Sequence, residues 1–186
     1  MEFLLIILGI IVVLAFIIIG IYNRLVALRQ TCNQAWSDIE VQLKQRQDLV
    51  PQLVNTVKGY AAHEKETLNE VIAARNAAVS AGNVQGQAAA EGMLSQALGK
   101  LFALAEAYPD LKANENFLQL QDQLADVENK IAASRRFYNN AVSEYNTGIE
   151  QFPAVLIAGP FNFNPRDFFE APEGRAALQD PVEVQF

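Results

Sequence analysis

The first apolar run, Phe3 to Ile21, holds nineteen residues without a charge, a proline or a hydrogen-bonding side chain. As a helix rising about 1.5 Å per residue it measures about 28 Å, close to the roughly 30 Å hydrocarbon core of a bilayer. Lipid offers backbone amides no partner, so helix is the conformation available there. The alternative is a cleaved secretory signal, which needs a basic stretch before the apolar core and a small-x-small site after it. Only Met1 and Glu2 precede the run, and Tyr22-Asn23-Arg24-Leu25 follow it. The pattern therefore predicts a retained anchor, with residues 1–2 outside and a transmembrane helix over 3–22.

Beyond the anchor the period becomes that of amphipathic helices. From Asn23 to about Gly59 a stripe of Trp36, Ile39, Leu43, Val50, Leu53, Val57 and Tyr60 recurs in steps of three and four, interrupted only by Arg46. Pro51 lies inside it, where it removes one backbone donor and predicts a kink near Gln47 to Val50. A second helix is predicted from Glu64 to Val79, with acids in its first turn and no breaker in Ala61-Ala62-His63, so that continuity with the first is open. Ser80-Ala81-Gly82-Asn83 reads as a turn. An alanine-rich third helix runs from about Val84 to Ala107, ended by Tyr108-Pro109-Asp110. The fourth is the clearest: Phe117, Leu120, Leu124, Val127, Ile131, Ser134, Tyr138, Ala141, Tyr145 and Gly148 form an unbroken heptad seam. Amphipathic helices joined by short turns pack as an antiparallel bundle. The fold class is thus all-α: a transmembrane helix leading into an elongated antiparallel helical bundle over 23–151.

After Gln151 the texture changes. Residues 152–186 are punctuated by proline and rich in phenylalanine, an irregular tail that cannot continue the helix yet is too aromatic for an ordinary disordered linker. Its end, Glu173 to Phe186, is acidic and expected to be loose. Phe161, Phe163, Phe168 and Phe169 need burial, either along the bundle or in a neighbouring copy, and are the candidate oligomer contacts.

Charge narrows the partners. A net charge of −7 and the lack of a basic stripe argue against nucleic acid. Arg24 and Arg29 follow the span while the amino group and Glu2 nearly cancel before it, so the positive-inside bias puts the bulk of the chain in the cytoplasm and the N-terminus outside.

Candidate chemistry is sparse. His63-Glu64 begins like a zinc-protease helix, but position 67 is Thr67 and His63 is the only histidine, so no metal is expected and a capping or hydrogen-bonding role fits better. Cys32 is alone on a helix near the membrane, better suited to packing than to nucleophilic chemistry. No nucleophile elbow, phosphate loop or dinucleotide fingerprint occurs, so neither catalytic residues nor a cofactor are expected. Asn114-Glu115-Asn116 stands where asparagine caps a helix. Arg135 and Arg136, followed by Phe137 and Tyr138, either pair with acids such as Asp38 or Glu40 or meet a partner. The candidate interaction residues are His63, Glu64, Tyr108, Asn114, Asn116, Arg135, Arg136 and Tyr138.

Several ordered blocks together carry a family resemblance. They are Ala35-Trp36-Ser37-Asp38-Ile39, Asp48-Leu49-Val50-Pro51-Gln52-Leu53-Val54, Val57-Lys58-Gly59-Tyr60-Ala61 with His63-Glu64, Ala105-Glu106-Ala107-Tyr108-Pro109-Asp110-Leu111-Lys112-Ala113-Asn114, and Ser134-Arg135-Arg136-Phe137-Tyr138-Asn139. With these the chain resembles the LemA family of bacterial membrane proteins over almost its entire length. The resemblance implies a single N-terminal span with the N-terminus out, a long antiparallel helical domain, and no established activity or cofactor. The expectation is a non-enzymatic, single-pass protein of the bacterial inner membrane that self-assembles into a homo-oligomeric scaffold. The alternative is an adaptor whose cytoplasmic bundle recruits another membrane protein, such as a protease or sensor.

Overall fold

The computed structural model describes residues 1–170, and every regular element among them is an α-helix. They are α1 (Glu2–Lys58), α2 (Lys65–Ser80), α3 (Val84–Ala105), α4 (Pro109–Lys112), α5 (Glu115–Glu150) and α6 (Val155–Ala158). The acidic end predicted to be loose lies outside the described residues. The anchor and the first amphipathic stripe are one helix, because no residue between Ile21 and Val57 stops the backbone ladder. Helices α1 and α2, whose continuity was open, are separate. Gly59 favours leaving the helix, Tyr60 and Ala61 both donate to the Val57 carbonyl, and Glu64 takes the N-cap of α2. Helix α3 stops two residues earlier than predicted. Pro109 then opens the single turn of α4 at the position where its missing N–H costs nothing.

The described residues divide into two compact units, one built from residues 1–37 with 136–167 and the other from 38–135 with 168–170. In the first, α1 and α5 run antiparallel, pairing Trp36 with Tyr138 (ring centroids 5.4 Å apart) and Leu28 with Gly148. The heptad seam supplies this contact: Tyr138, Ala141, Tyr145 and Gly148 are buried, against Leu25, Cys32 and Ala35. The segment after α5 folds back onto it. Asn162 adopts φ 57°, a left-handed conformation asparagine tolerates, and turns the chain so that Phe163 is buried beside Tyr22. Asn146 then holds the returning strand of chain at both ends of one residue, donating to the Arg166 carbonyl and accepting from the Arg166 N–H, each at 2.9 Å.

The second unit has the larger core. Val50, Leu53, Val54 and Val57 of α1 meet Leu68 and Val71 of α2, Leu94, Leu98 and Leu101 of α3, and Phe117 and Leu124 of α5. Burial of each such side chain contributes about 1.5–3 kcal/mol. Small residues at Ala78, Ala90, Ala97 and Ala105 let the helices approach closely. Phe102 and Phe117 meet edge to face at 6.3 Å.

Gly148 marks the tightest approach of α5 to α1, since a Cβ there falls 2.8 Å from Leu28 Cδ1. That atom ends a flexible side chain, and alanine gains about 1 kcal/mol of helix propensity over glycine. Gly148→Ala is therefore expected to leave the melting temperature nearly unchanged. Gly148→Leu overpacks the contact and is expected to cost about 1–3 kcal/mol, read as a lower Tm by circular dichroism of the detergent-solubilised protein.

Candidate functional site

Four helices of the second unit converge on one charged cluster. Arg46, the single interruption of the α1 stripe, is 1% exposed. Its Nη1 donates to Glu91 Oε2 at 2.8 Å, and its Nη2 donates to Ser95 Oγ at 2.7 Å and lies 2.6 Å from Glu128 Oε1. The other Glu91 oxygen accepts from Gln47 Nε2 at 3.3 Å and from Gln87 Nε2 at 2.9 Å. Gln87 also donates to the Ala78 carbonyl, which ties the start of α3 to the end of α2. Two carboxylates share one guanidinium, so the cluster carries a net charge of −1. Burial pushes the Glu128 carboxyl above the usual range, Arg46 pulls it back, and Glu91 adds to the rise.

A second polar contact repairs the helix at Pro51. Proline lacks the N–H that would bond the carbonyl four residues earlier, leaving Gln47 O without its helical donor. Arg75 Nε of α2 donates to that oxygen at 3.2 Å, and α1 continues through the proline. The sequence places Arg75 on the inner stripe of α2 and Pro51 in α1, but only packing brings the one to the defect of the other.

The predicted interaction residues divide. Glu64, Tyr108 and Asn114 lie where the α1–α2 turn meets the two ends of α4, Tyr108 just before that short helix and Asn114 just after it. The Tyr108 hydroxyl donates to Glu64 Oε1 at 3.1 Å, and Asn114 Nδ2 donates to the Tyr60 hydroxyl at 3.0 Å. The Glu64 hydrogen bond raises the pKa of the Tyr108 hydroxyl, helped by desolvation. Asn114 Oδ1 accepts from Phe117 N–H at 3.0 Å, the cap the sequence suggested. His63 and Asn116 are exposed outside this cluster. Arg135 and Arg136 are exposed too, and the arginine buried between acids is Arg46. Tyr138 is buried, its hydroxyl donating to the Asp167 carbonyl at 3.0 Å. Of the tail phenylalanines, Phe163 and Phe169 are buried within the chain, Phe168 is half-buried and Phe161 is exposed. Cys32 is wholly buried, and burial raises its thiol pKa, which suits packing rather than reactivity.

Helix α1 includes a segment long and apolar enough to cross a membrane, and its residues before Ile21 are all exposed. The sequence profile of the LemA family matches residues 35–186, most of the chain. The chain belongs to the LemA family. It is 26% identical over 191 aligned residues to magnetosome protein MamQ 2 of Paramagnetospirillum magneticum, covering 88% of this chain and 70% of that protein. MamQ of Magnetospirillum gryphiswaldense is 25% identical over the same shares. Protein LemA of Metamycoplasma hominis is 27% identical over 172 residues, covering 91% of this chain and 78% of its own. This LemA-family chain is thus a membrane-associated helical protein. Its buried cluster was only half legible: Arg46 stood out in its stripe, while Glu91, the one acid of α3, gave the matching signal and was not singled out.

Removing Arg46 strands buried carboxylate charge. Arg46→Met is expected to cost about 3–5 kcal/mol in thermal or urea unfolding, and adding Glu91→Gln is expected to recover more than half of it. Arg75→Met leaves the Gln47 carbonyl unpaired and is expected to cost about 1–3 kcal/mol. In a Pro51→Ala background, where the backbone donor is restored, the same change is expected to be nearly neutral. Glu128 binds its proton more tightly folded than unfolded, so its contribution is greatest at acid pH and is lost as pH rises above the ordinary value of 4.5. Glu128→Gln is expected to flatten that decline in a series of melts from acid to neutral pH.

Proposed function

We propose that this chain is a non-enzymatic scaffold held in the bacterial inner membrane, which associates with copies of itself through the outer face of α2 and α3. One observation carries the reading. From Val71 to Gly99 the only charged residues are Arg75 and Glu91, and both are engaged inward, Arg75 on the Gln47 carbonyl and Glu91 on Arg46. Within that stretch the exposed face of the hairpin is therefore uncharged, bordered by the exposed Glu70–Lys100 ion pair, in a protein of net charge −7. It presents Ile72, Ala73, Ala77 and Val79 on α2 with Gly92 and Met93 on α3. Depletion of charge at the centre is what distinguishes protein interfaces from ordinary surface. The buried carboxylates and guanidinium of the second unit tie its helices together, which supports a contact role over turnover. The arginines after the span support an orientation with the N-terminus outside and the bundle in the cytoplasm.

A second reading is an adaptor for another membrane protein, supported by Arg136 and Phe137, both exposed on α5, Phe137 at 52%. Cross-linking from position 136 to a foreign protein, with none between copies through α2 and α3, is the outcome that favours it.

The test places charge on the hairpin face without disturbing its helices, since glutamate is a good helix former. Wild type is expected to run above monomer mass in mild detergent by light scattering, and Ala73→Glu with Ala77→Glu to shift it to monomer with unchanged helicity and Tm. A monomeric wild type, or a double variant of unchanged mass, overturns self-association through this face.

A further inference from the structure

The segment between α5 and Arg166 contains no charge from Gln151 to Pro165. Four of its large apolar side chains face away from the protein: Phe152 is 80% exposed, Leu156 65%, Val155 49% and Phe161 48%. Such a cluster in water is costly, at about 25 cal/mol for each Å² left exposed. The cluster is not a loose tail. Ala154 and Ala158 pack inward, Phe163 N–H donates to the Ala158 carbonyl at 2.9 Å, and Arg166 Nη2 donates to Asn33 Oδ1 at 2.6 Å. The loop is therefore held with its apolar side turned outward.

Its position says what covers that side. The rings of Phe161 and Phe163 lie 5.2 Å and 5.6 Å from that of Tyr22, the aromatic residue that ends the apolar span. Gly148, four residues before Phe152, lies against Leu25 and Leu28 just past the span, and the antiparallel run of α5 carries the chain from there toward the anchor. Tyrosines at the end of a span sit at the headgroup level. The patch is thus continuous with the lipid-facing surface of α1, at the depth where a bilayer ends.

We propose that Phe152, Val155, Leu156 and Phe161 form a second membrane contact, an interfacial wedge seated in the headgroup and upper acyl region of the same leaflet as Tyr22. Apolar faces of this kind bury about 5–10 Å into that boundary. The span alone leaves the protein free to tilt and rotate about its anchor; two points of contact fix how the first unit stands on the membrane. The inference rests on the membrane anchor and is independent of self-association through α2 and α3.

The test uses the full-length chain in phosphatidylcholine–phosphatidylglycerol vesicles, with Cys32→Ala and a nitroxide attached at Phe152→Cys or Leu156→Cys. Labels at Phe16→Cys, inside the span, and Gln119→Cys, exposed on α5 away from the α2–α3 face, calibrate the scale. At positions 152 and 156, collision with a water-soluble nickel chelate is expected to be several-fold lower than at 119, and collision with oxygen as high or higher. Nickel collision equal to that at 119 overturns the proposal. So does protection from both reagents together, the signature of a second copy covering the patch. Circular dichroism of each labelled variant, matching wild type, shows that the label reports on the folded protein.

Discussion

A guanidinium held between two carboxylates inside a helical bundle is the constraint on which the second unit depends. Arg46 comes from α1, Glu91 from α3 and Glu128 from α5, so one side chain fixes the register of three helices at once. Apolar contacts among leucines and valines tolerate sliding by a turn; a buried ion pair does not, because any slip leaves charge without a partner in a medium of low dielectric. Gln47 and Gln87 complete the carboxylate, and the carbonyl of the same Gln47 accepts from Arg75, so α2 is tied to the same short stretch of α1. Charge here acts as specification rather than chemistry.

That commitment shapes the surface. Because Arg75 and Glu91 serve the core, the hairpin surface between Val71 and Gly99 is left without other charge, and this is the face we propose for contact between copies. The first unit shows a parallel economy. Asn146, Arg166 and Asn33 hold the segment after α5 against the bundle, and the result is an outward apolar cluster beside Tyr22. In both units polar residues set the orientation of the segments beside these two patches.

The LemA family profile covers residues 35–186, which include the charged cluster and the α2–α3 hairpin. The relatives in Paramagnetospirillum magneticum and Magnetospirillum gryphiswaldense are magnetosome proteins by name.

Local periodicity alone determined the course of the two long helices, α1 and α5. Nineteen apolar residues require a helix in lipid, the stripe from Trp36 to Val57 continues it, the seam from Phe117 to Gly148 sets α5, and Asn114 caps it, because each of these depends on neighbours three or four residues apart. What depends on residues far apart in sequence was decided only by tertiary structure. Arg46 reads as an interruption until Glu91 and Glu128 arrive beside it, and Pro51 reads only as a lost backbone donor until Arg75 bonds the carbonyl it leaves open. Phe161 and Phe163 read as one aromatic tail until the left-handed turn at Asn162 buries the second and exposes the first. A period of 3.6 specifies which face of a helix is apolar; which partner meets that face depends on packing that no local pattern contains.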